Sequence, residues 1–328
     1  MVVHQAIKGD LLMNRLVAVV DLGSNSFHLI IAELREHQFR IIERVRAAVR
    51  LGAGLDAQGC LTANVQQRAF DCLHHFHERL DALQVKEVYA LGTNTLRVAA
   101  NTSVFLQQAE KILGHAIRVI SGLEEAELIF YGANYEQATT TRELIIDIGG
   151  GSTELIIGYQ NQPEILHSVA MGCVSFNVEF FANKKESKAG SKDINSIFSQ
   201  IHQRVDQLLQ PIAHQYRESG WETAIGCSGT IQAVAHVAEA NGWAQQQEIT
   251  PEVLEKIREY LVSQGDKGLR NLAGLRADRQ SIFPAGVAIL SALFSILNID
   301  TLTLSTGALR EGMLYRILQL NQDSDVVP

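Results

Sequence analysis

A twelve-residue segment occurs twice in this chain, and the duplication constrains the fold more than any other feature. Residues 21–32, Asp-Leu-Gly-Ser-Asn-Ser-Phe-His-Leu-Ile-Ile-Ala, align without gaps on residues 147–158, Asp-Ile-Gly-Gly-Gly-Ser-Thr-Glu-Leu-Ile-Ile-Gly, with six of twelve positions identical. Each copy follows an apolar run and reads as strand, Asp, small-residue turn and second strand, the pattern of a β-hairpin with a sharp loop. The copies stand 126 positions apart, which leaves each enough chain to open its own domain of roughly 100 to 200 residues.

Three further segments run from a strand through a Gly/Ser/Thr loop into a helix: 88–97, 224–230 and 302–312. Strands alternating with helices predict an α/β architecture, and ligands of such sheets bind beyond the strand ends, where these loops gather. Val65, Cys72, Leu73, Phe76, Leu80 and Leu83 recur at near-helical spacing and predict an amphipathic helix over 64–83. A second helix is expected over 194–216, kinked at Pro211. The polar, Lys-rich stretch 184–193 reads as a mobile surface loop, and the first dozen residues and 323–328 as frayed ends.

Composition narrows the function classes. No stretch reaches the roughly 18 consecutive apolar residues of a membrane span, so no membrane association is expected. The apolar run 16–20 follows Arg15 and stops at Asp21 without a small-residue cleavage site, so it reads as a strand rather than a signal sequence. Cys60, Cys72, Cys173 and Cys227 form no C-x-x-C pair, which argues against a disulfide framework or thiolate zinc site and for a reducing cytoplasm. A formal charge of −8 is the wrong sign for general attraction to nucleic acid. An anionic ligand must therefore be held locally by backbone N–H groups, a few arginines and a divalent cation.

The run Asp147-Ile-Gly-Gly-Gly-Ser-Thr-Glu154 carries the strongest chemical signal. Gly149, Gly150 and Gly151 have no Cβ to block close approach, so their N–H groups can wrap a phosphate, with Ser152 and Thr153 adding hydroxyls. Asp147 and Glu154 flank the loop and can hold Mg²⁺, through waters, as metal-binding and catalytic carboxylates. In the first copy, Ser24, Asn25 and Ser26 would donate to the far side of the same phosphate chain. His28, where the second copy has Glu154, reads as a neutral donor or as a strand residue.

Ser121-Gly-Leu-Glu-Glu-Ala126 follows a strand and opens a helix. Ser121 and Glu124 have capping-box spacing, which leaves Glu125 free to accept a proton from attacking water; alternatively both acids complement the helix dipole. Guanidinium forks suit phosphate oxygens, and Arg97, after Gly-Thr-Asn-Thr-Leu, is the first choice for a phosphate contact. Arg310, after Gly307, reads equally as a phosphate contact or as a structural ion-pair partner of Glu311 or another acid. His74, His75 and His77 fall on the polar side of the helix predicted over 64–83 and read as a solvated face rather than a metal site.

Seven ordered motifs make this sequence resemble the exopolyphosphatase and guanosine pentaphosphate phosphohydrolase family, within the fold group of actin-like, sugar-kinase and heat-shock ATPases. They are Asp-Leu-Gly-Ser-Asn-Ser-Phe-His, Gly-Thr-Asn-Thr-Leu-Arg, Ile-Ser-Gly-Leu-Glu-Glu-Ala, Asp-Ile-Gly-Gly-Gly-Ser-Thr-Glu-Leu, Met-Gly-Cys-Val-Ser-Phe, Gly-Cys-Ser-Gly-Thr and Gly-Ala-Leu-Arg-Glu-Gly, spread over residues 16–320. The resemblance implies two ribonuclease-H-like domains with a Mg²⁺-assisted catalytic cleft between them. They divide as 1–128 and 129–328, with a C-terminal helix at about 310–322 packing back on the first. It also implies Glu125 as catalytic base, Asp147 and Glu154 as metal- and water-positioning groups, and Arg97, Arg279, Ser228 and Gly229 as phosphate contacts. A monovalent cation such as K⁺ and a homodimer are compatible with it. Thr306 stands where members often carry Asp. Longer members continue into a helical HD-like region, whose absence here would weaken the grip on long polymers.

The expected activity is removal of terminal orthophosphate from inorganic polyphosphate. Gly151 favours that substrate, because the pentaphosphate-cleaving members often have Ala there, and guanosine pentaphosphate is the alternative. A sugar kinase or heat-shock-type ATPase would leave the Glu-Glu helix start unexplained. A non-catalytic sensor of polyphosphate or alarmone would not need the base.

Overall fold

The duplicated segments fold as two antiparallel hairpins, each at the heart of its own five-stranded sheet. The computed structural model describes residues 15–35, 38–135, 140–181, 194–244 and 247–324. The first dozen residues, the stretch 184–193 and residues 325–328 lie outside them.

The first sheet is built from β1 (Arg15–Leu22), β2 (Phe27–Arg35), β3 (Gln38–Ala47), β4 (Glu87–Gly92) and β5 (Ile117–Val119), in the order β3-β2-β1-β4-β5. Helices α1 (Ala63–Ala82), α2 (Asn94–Val98), α3 (Thr102–Leu113) and α4 (Gly122–Ala133) follow in the same stretch of chain. The second sheet uses β6 (Arg142–Ile148), β7 (Thr153–Tyr159), β8 (Gln162–Val169), β9 (Thr223–Cys227) and β10 (Thr303–Leu304), in the order β10-β9-β6-β7-β8. Its helices are α5 (Cys173–Phe176), α6 (Ile194–Leu209), α7 (Ala213–Ser219), α8 (Ser228–Ala240), α9 (Pro251–Asn271), α10 (Phe283–Leu297) and α11 (Leu309–Ser324). Read from the opposite edge, the second order repeats the first. In both sheets the hairpin and third strand are antiparallel, while the strand on the other side of the hairpin is parallel. This is the duplicated ribonuclease-H-like topology of the actin-like group.

Side chains alternate between the faces of a strand, and here both faces are apolar. In β1, Ala18, Val20 and Leu22 pack outward with α1 and α3, while Val17 and Val19 pack inward. In β6, Leu144, Ile146 and Ile148 face the core of α6, α8, α9 and α10, while Ile145 joins Val17, Val19, Ile30 and Ile156 in a middle core. That middle core is filled by α4 and α11. The two helices pack closely because neither Gly132 nor Gly312 has a Cβ, which would collide with backbone of the partner helix or of its leading turn. The division at 128/129 falls inside α4.

The helix expected over 64–83 is α1, whose buried side chains include Val65, Ala69, Leu73, Phe76 and Leu80. The helix expected over 194–216 is two helices rather than one kinked one. Pro211 has no N–H to give the preceding turn and its ring clashes there, so α6 ends at Leu209 and α7 begins at Ala213. At the other end of the chain, α11 runs to Ser324, into the stretch expected to fray. Among the described residues no helix is long and apolar enough to cross a membrane.

Candidate active site

Strand alternation sets the site. Asp21 and His28 are cross-strand partners on the inward faces of β1 and β2, and Asp147 and Glu154 are the equivalent pair on β6 and β7. Two carboxylates and their partners therefore end the inward faces of both central hairpins, on either side of the α4–α11 layer. Glu125, in the first turn of α4, is carried to the same place.

The turns that join the hairpin strands touch each other. A Cβ on Gly150 would lie 2.8 Å from Ser24 Cβ, and one on Gly151 would fall on Asn94 Oδ1. Their glycines are thus required first by loop-on-loop packing. The N–H groups of Gly150 and Gly151 donate to no other described residue, so both stay available to an anion.

The resulting cleft encloses about 250 Å³ and is lined by both turns, by Asp21, His28, Glu125 and Asp147, and by the N-terminus of α8 at Ser228, Gly229 and Thr230. Its lining carries four arginines, Arg46, Arg276, Arg279 and Arg310, against three carboxylates. The local balance is therefore positive in a chain of net charge −8. Arg279 lies against Gly229, where a Cβ would collide with its guanidinium. Arg46 donates to Ser26 Oγ at 2.9 Å and pairs with Asp278 at 2.7 Å, which also pairs with Arg276 at 3.1 Å.

Burial raises the proton affinity of every carboxylate here. Asp21 is pushed up to about 7 by burial, partly offset by Arg310, whose Nε lies 3.9 Å from its Oδ2. Asp147 is pushed up to about 7 by burial and by repulsion from Glu125 and Asp21. Glu154 is raised well above the ordinary glutamate value by burial and by Glu125 and Asp147, although Ser168 Oγ donates to it at 2.7 Å. Glu125 is raised by burial against the opposing pull of Arg97. Four crowded carboxylates with raised proton affinity are a donor set suited to a hard cation. Yet among the described residues no three His, Cys, Asp or Glu side chains converge to hold an ion unaided. The set fits Mg²⁺, which takes one or two carboxylates and completes its shell with water and substrate phosphate.

Several expected side chains are placed differently. Glu125 is not free: Arg97 Nη1 lies 2.6 Å from its Oε2 and also donates to the Ile120 carbonyl at 3.1 Å. Arg97 is thus engaged by Glu125 and does not line the cleft. Thr153 faces away from it, because alternation sends Thr153 to the side opposite Glu154. It is fully buried, and its hydroxyl donates to the Met171 carbonyl at 2.7 Å. Glu154 sits behind Asp147 rather than on the cleft lining. Only half of the capping box forms: Ser121 Oγ accepts from Glu124 N at 3.1 Å, while the Glu124 carboxylate pairs with Arg118 and Arg316. Arg310 faces Asp21 and His28, and Glu311 pairs with Arg44. His74, His75 and His77 are exposed on α1. Ser24, Asn25, Ser26, Gly149, Gly150, Gly151, Ser152, Ser228, Gly229 and Arg279 all line the cleft.

Asp21, Arg46, Asn94 and Arg276 also line it, and the sequence reading gave none of them a role. The repeat itself carried the signal for Asp21, as the counterpart of Asp147. Arg46 is the cross-strand partner of His28, a relation that appears only once β3 is paired with β2.

The model of the Ppx/GppA phosphatase family matches residues 30–321. The guanosine-5′-triphosphate,3′-diphosphate pyrophosphatases of Aeromonas hydrophila and Aeromonas salmonicida are each 38% identical over 310 residues, covering 94% of this chain and 61% of theirs. The chain thus spans about three fifths of the length of the curated relatives it matches. Among solved structures, an exopolyphosphatase from Cytophaga hutchinsonii superimposes with a TM-score of 0.80 at 26% identity, covering 93% of this chain and 98% of that one. The Aquifex aeolicus PPX-GPPA enzyme, 22% identical, shares the fold with a TM-score of 0.71, covering 92% of this chain and 99% of that one.

Proposed function

The chain belongs to the Ppx/GppA phosphatase family, and from that premise we propose that it hydrolyses a terminal phosphoanhydride bond of guanosine 5′-triphosphate 3′-diphosphate, with Glu125 as general base. The observation that carries this reading is the position of Glu125. It is buried at the start of α4, has a raised proton affinity and opens into a cleft lined by four arginines. A base must stay unprotonated near neutral pH yet hold a proton well enough to take one from water. Burial supplies the second property, and the Arg97 ion pair preserves the first.

Arg46, Arg276, Arg279 and Arg310 neutralise the non-bridging oxygens of the phosphate chain. The N–H groups of Gly150 and Gly151 and the side chains of Ser24 and Asn25 bracket it from the two turns. Asp147 would hold Mg²⁺, with Glu154 behind it, and that ion would neutralise charge on the transferred phosphoryl group. Glu125 accepts the proton of the attacking water.

Support for the nucleotide over inorganic polyphosphate comes from the name carried by the 38% identical relatives. The ground for polyphosphate was Gly151, and that residue is accounted for by Asn94, whose side chain occupies the space a Cβ would need. The distinguishing experiment measures phosphate release from guanosine pentaphosphate and from long-chain polyphosphate side by side, with Mg²⁺. A higher kcat/KM on the nucleotide is expected, and a higher value on the polymer would overturn the choice of substrate.

A further inference from the structure

Asp278 stands behind the cleft wall rather than on it, yet three of the four arginines of that wall surround its carboxylate. It lies in the short turn Ala277–Arg279, between α9 and α10 of the second domain. Arg46 comes to it from β3 of the first. Arg46 Nη2 donates to Asp278 Oδ2 at 2.7 Å and to Ser26 Oγ, in the first hairpin turn, at 2.9 Å. Arg276 Nε donates to Asp278 Oδ1 at 3.1 Å, and Arg50 Nη2 donates to the Asp278 carbonyl at 3.3 Å. One aspartate thus ties a turn of the second domain to a strand and a turn of the first.

These bonds leave the arginines partly unused. Asp278 and Ser26 take a single nitrogen of Arg46, so its Nε and Nη1 donate to no described residue. Arg276 donates to Asp278 through Nε and Nη2 and keeps Nη1. Like charges this close repel. Burial, Arg46 and Arg276 together lower the proton affinity of Arg279, and Asp278 opposes them. The aspartate itself is pushed up by burial, but the hydrogen bond and charge of Arg46, with the charges of Arg276 and Arg279, outweigh that and hold it below the usual aspartate value.

We propose that Asp278 is a positioning residue: it holds one guanidinium from each domain, Arg46 and Arg276, side by side and leaves their remaining N–H groups to the phosphate chain. The role rests on the reading of the cleft as a phosphate-chain site. Asp278 acts through the arginines, since a carboxylate facing the substrate would repel it. That fixes the sign of its effect. By charge alone an anion beside a polyanion site weakens binding, and it strengthens binding only if the arginines depend on it for their placement.

Calorimetry with inorganic tripolyphosphate, at fixed ionic strength, tests both the sign and the dependence on Arg46. Asp278→Asn keeps the shape of the side chain and loses its charge, and it should bind about tenfold more weakly than wild type. In an Arg46→Met chain the same substitution should weaken binding by no more than about threefold, because only Arg276 is then left for Asp278 to hold. Tighter binding by Asp278→Asn would overturn the proposal. So would an equal loss with and without Arg46, the mark of an aspartate that only supports its own turn. Thermal melting establishes that each variant is folded at the assay temperature, and Arg46→Gln serves the same comparison if Arg46→Met is not. A folded wild type that does not bind tripolyphosphate would overturn the phosphate reading of the cleft and this role with it, whereas variant results against the role leave that reading standing.

Discussion

Arg97 Nη1 and Glu125 Oε2 stand 2.6 Å apart, and this pair joins the helix that follows β4 to the first turn of α4. The arginine expected to bind phosphate holds the carboxylate expected to act as base. Its cation opposes the burial that would otherwise keep Glu125 protonated.

Removing that cation should therefore move the pH dependence of the reaction. In Arg97→Ala the proton affinity of Glu125 rises. Activity lost on protonation of the base is then lost at higher pH, and the acidic limb of the kcat/KM profile should shift upward by about one pH unit or more. An unshifted limb with a uniformly lower rate would make Arg97 a phosphate ligand alone.

The crowded carboxylates should make the metal-free protein less stable as pH rises. Asp21 and Asp147 have folded values of about 7 against ordinary values of 3.8, so the folded chain holds more protons between those limits. Stability falls as pH rises through that window. His28, held neutral, has the opposite sign, but its effect is confined below its ordinary value of 6.5. With EDTA present, the urea midpoint should thus drop between about pH 6.5 and about pH 8. Asp147→Asn should flatten that drop, and a wild-type midpoint that is level or rising would contradict the account.

Gly151→Ala should disrupt the contact between the turns, because its methyl group falls on Asn94 Oδ1. Overpacking of this kind costs about 1–3 kcal/mol. Gly151→Ala should lower both thermal stability and phosphate release, and Asn94→Ala in the same chain should restore most of both. A changed preference between nucleotide and polyphosphate, with stability intact, would instead make Gly151 a specificity residue.

The hairpins, the α/β alternation and most of the turn residues were legible because they depend on local patterns: an apolar run, an Asp, a small-residue turn. The repeat also placed Asp21 opposite Asp147 without any structure. Thr153 was misread although the information was present, since alternation puts it on the face opposite Glu154. Arg46 and Arg276 were not legible. One reaches the cleft through the pairing of β3 with β2 and the other from the segment between α9 and α10, placements that only tertiary packing sets. The Arg97–Glu125 pair was hidden for a similar reason. The two residues stand 28 positions apart on different loops, and the packing of α2 against the start of α4 is a tertiary relation.

The most direct test of Glu125 as the base in the cleft is phosphate release from guanosine pentaphosphate by wild type and by Glu125→Gln, with binding of the nucleotide measured on the same samples. Glu125→Gln should reduce kcat by about 10²- to 10⁴-fold and leave binding close to wild type. A kcat within a few-fold of wild type would contradict the role given to Glu125 and the mechanism built on it.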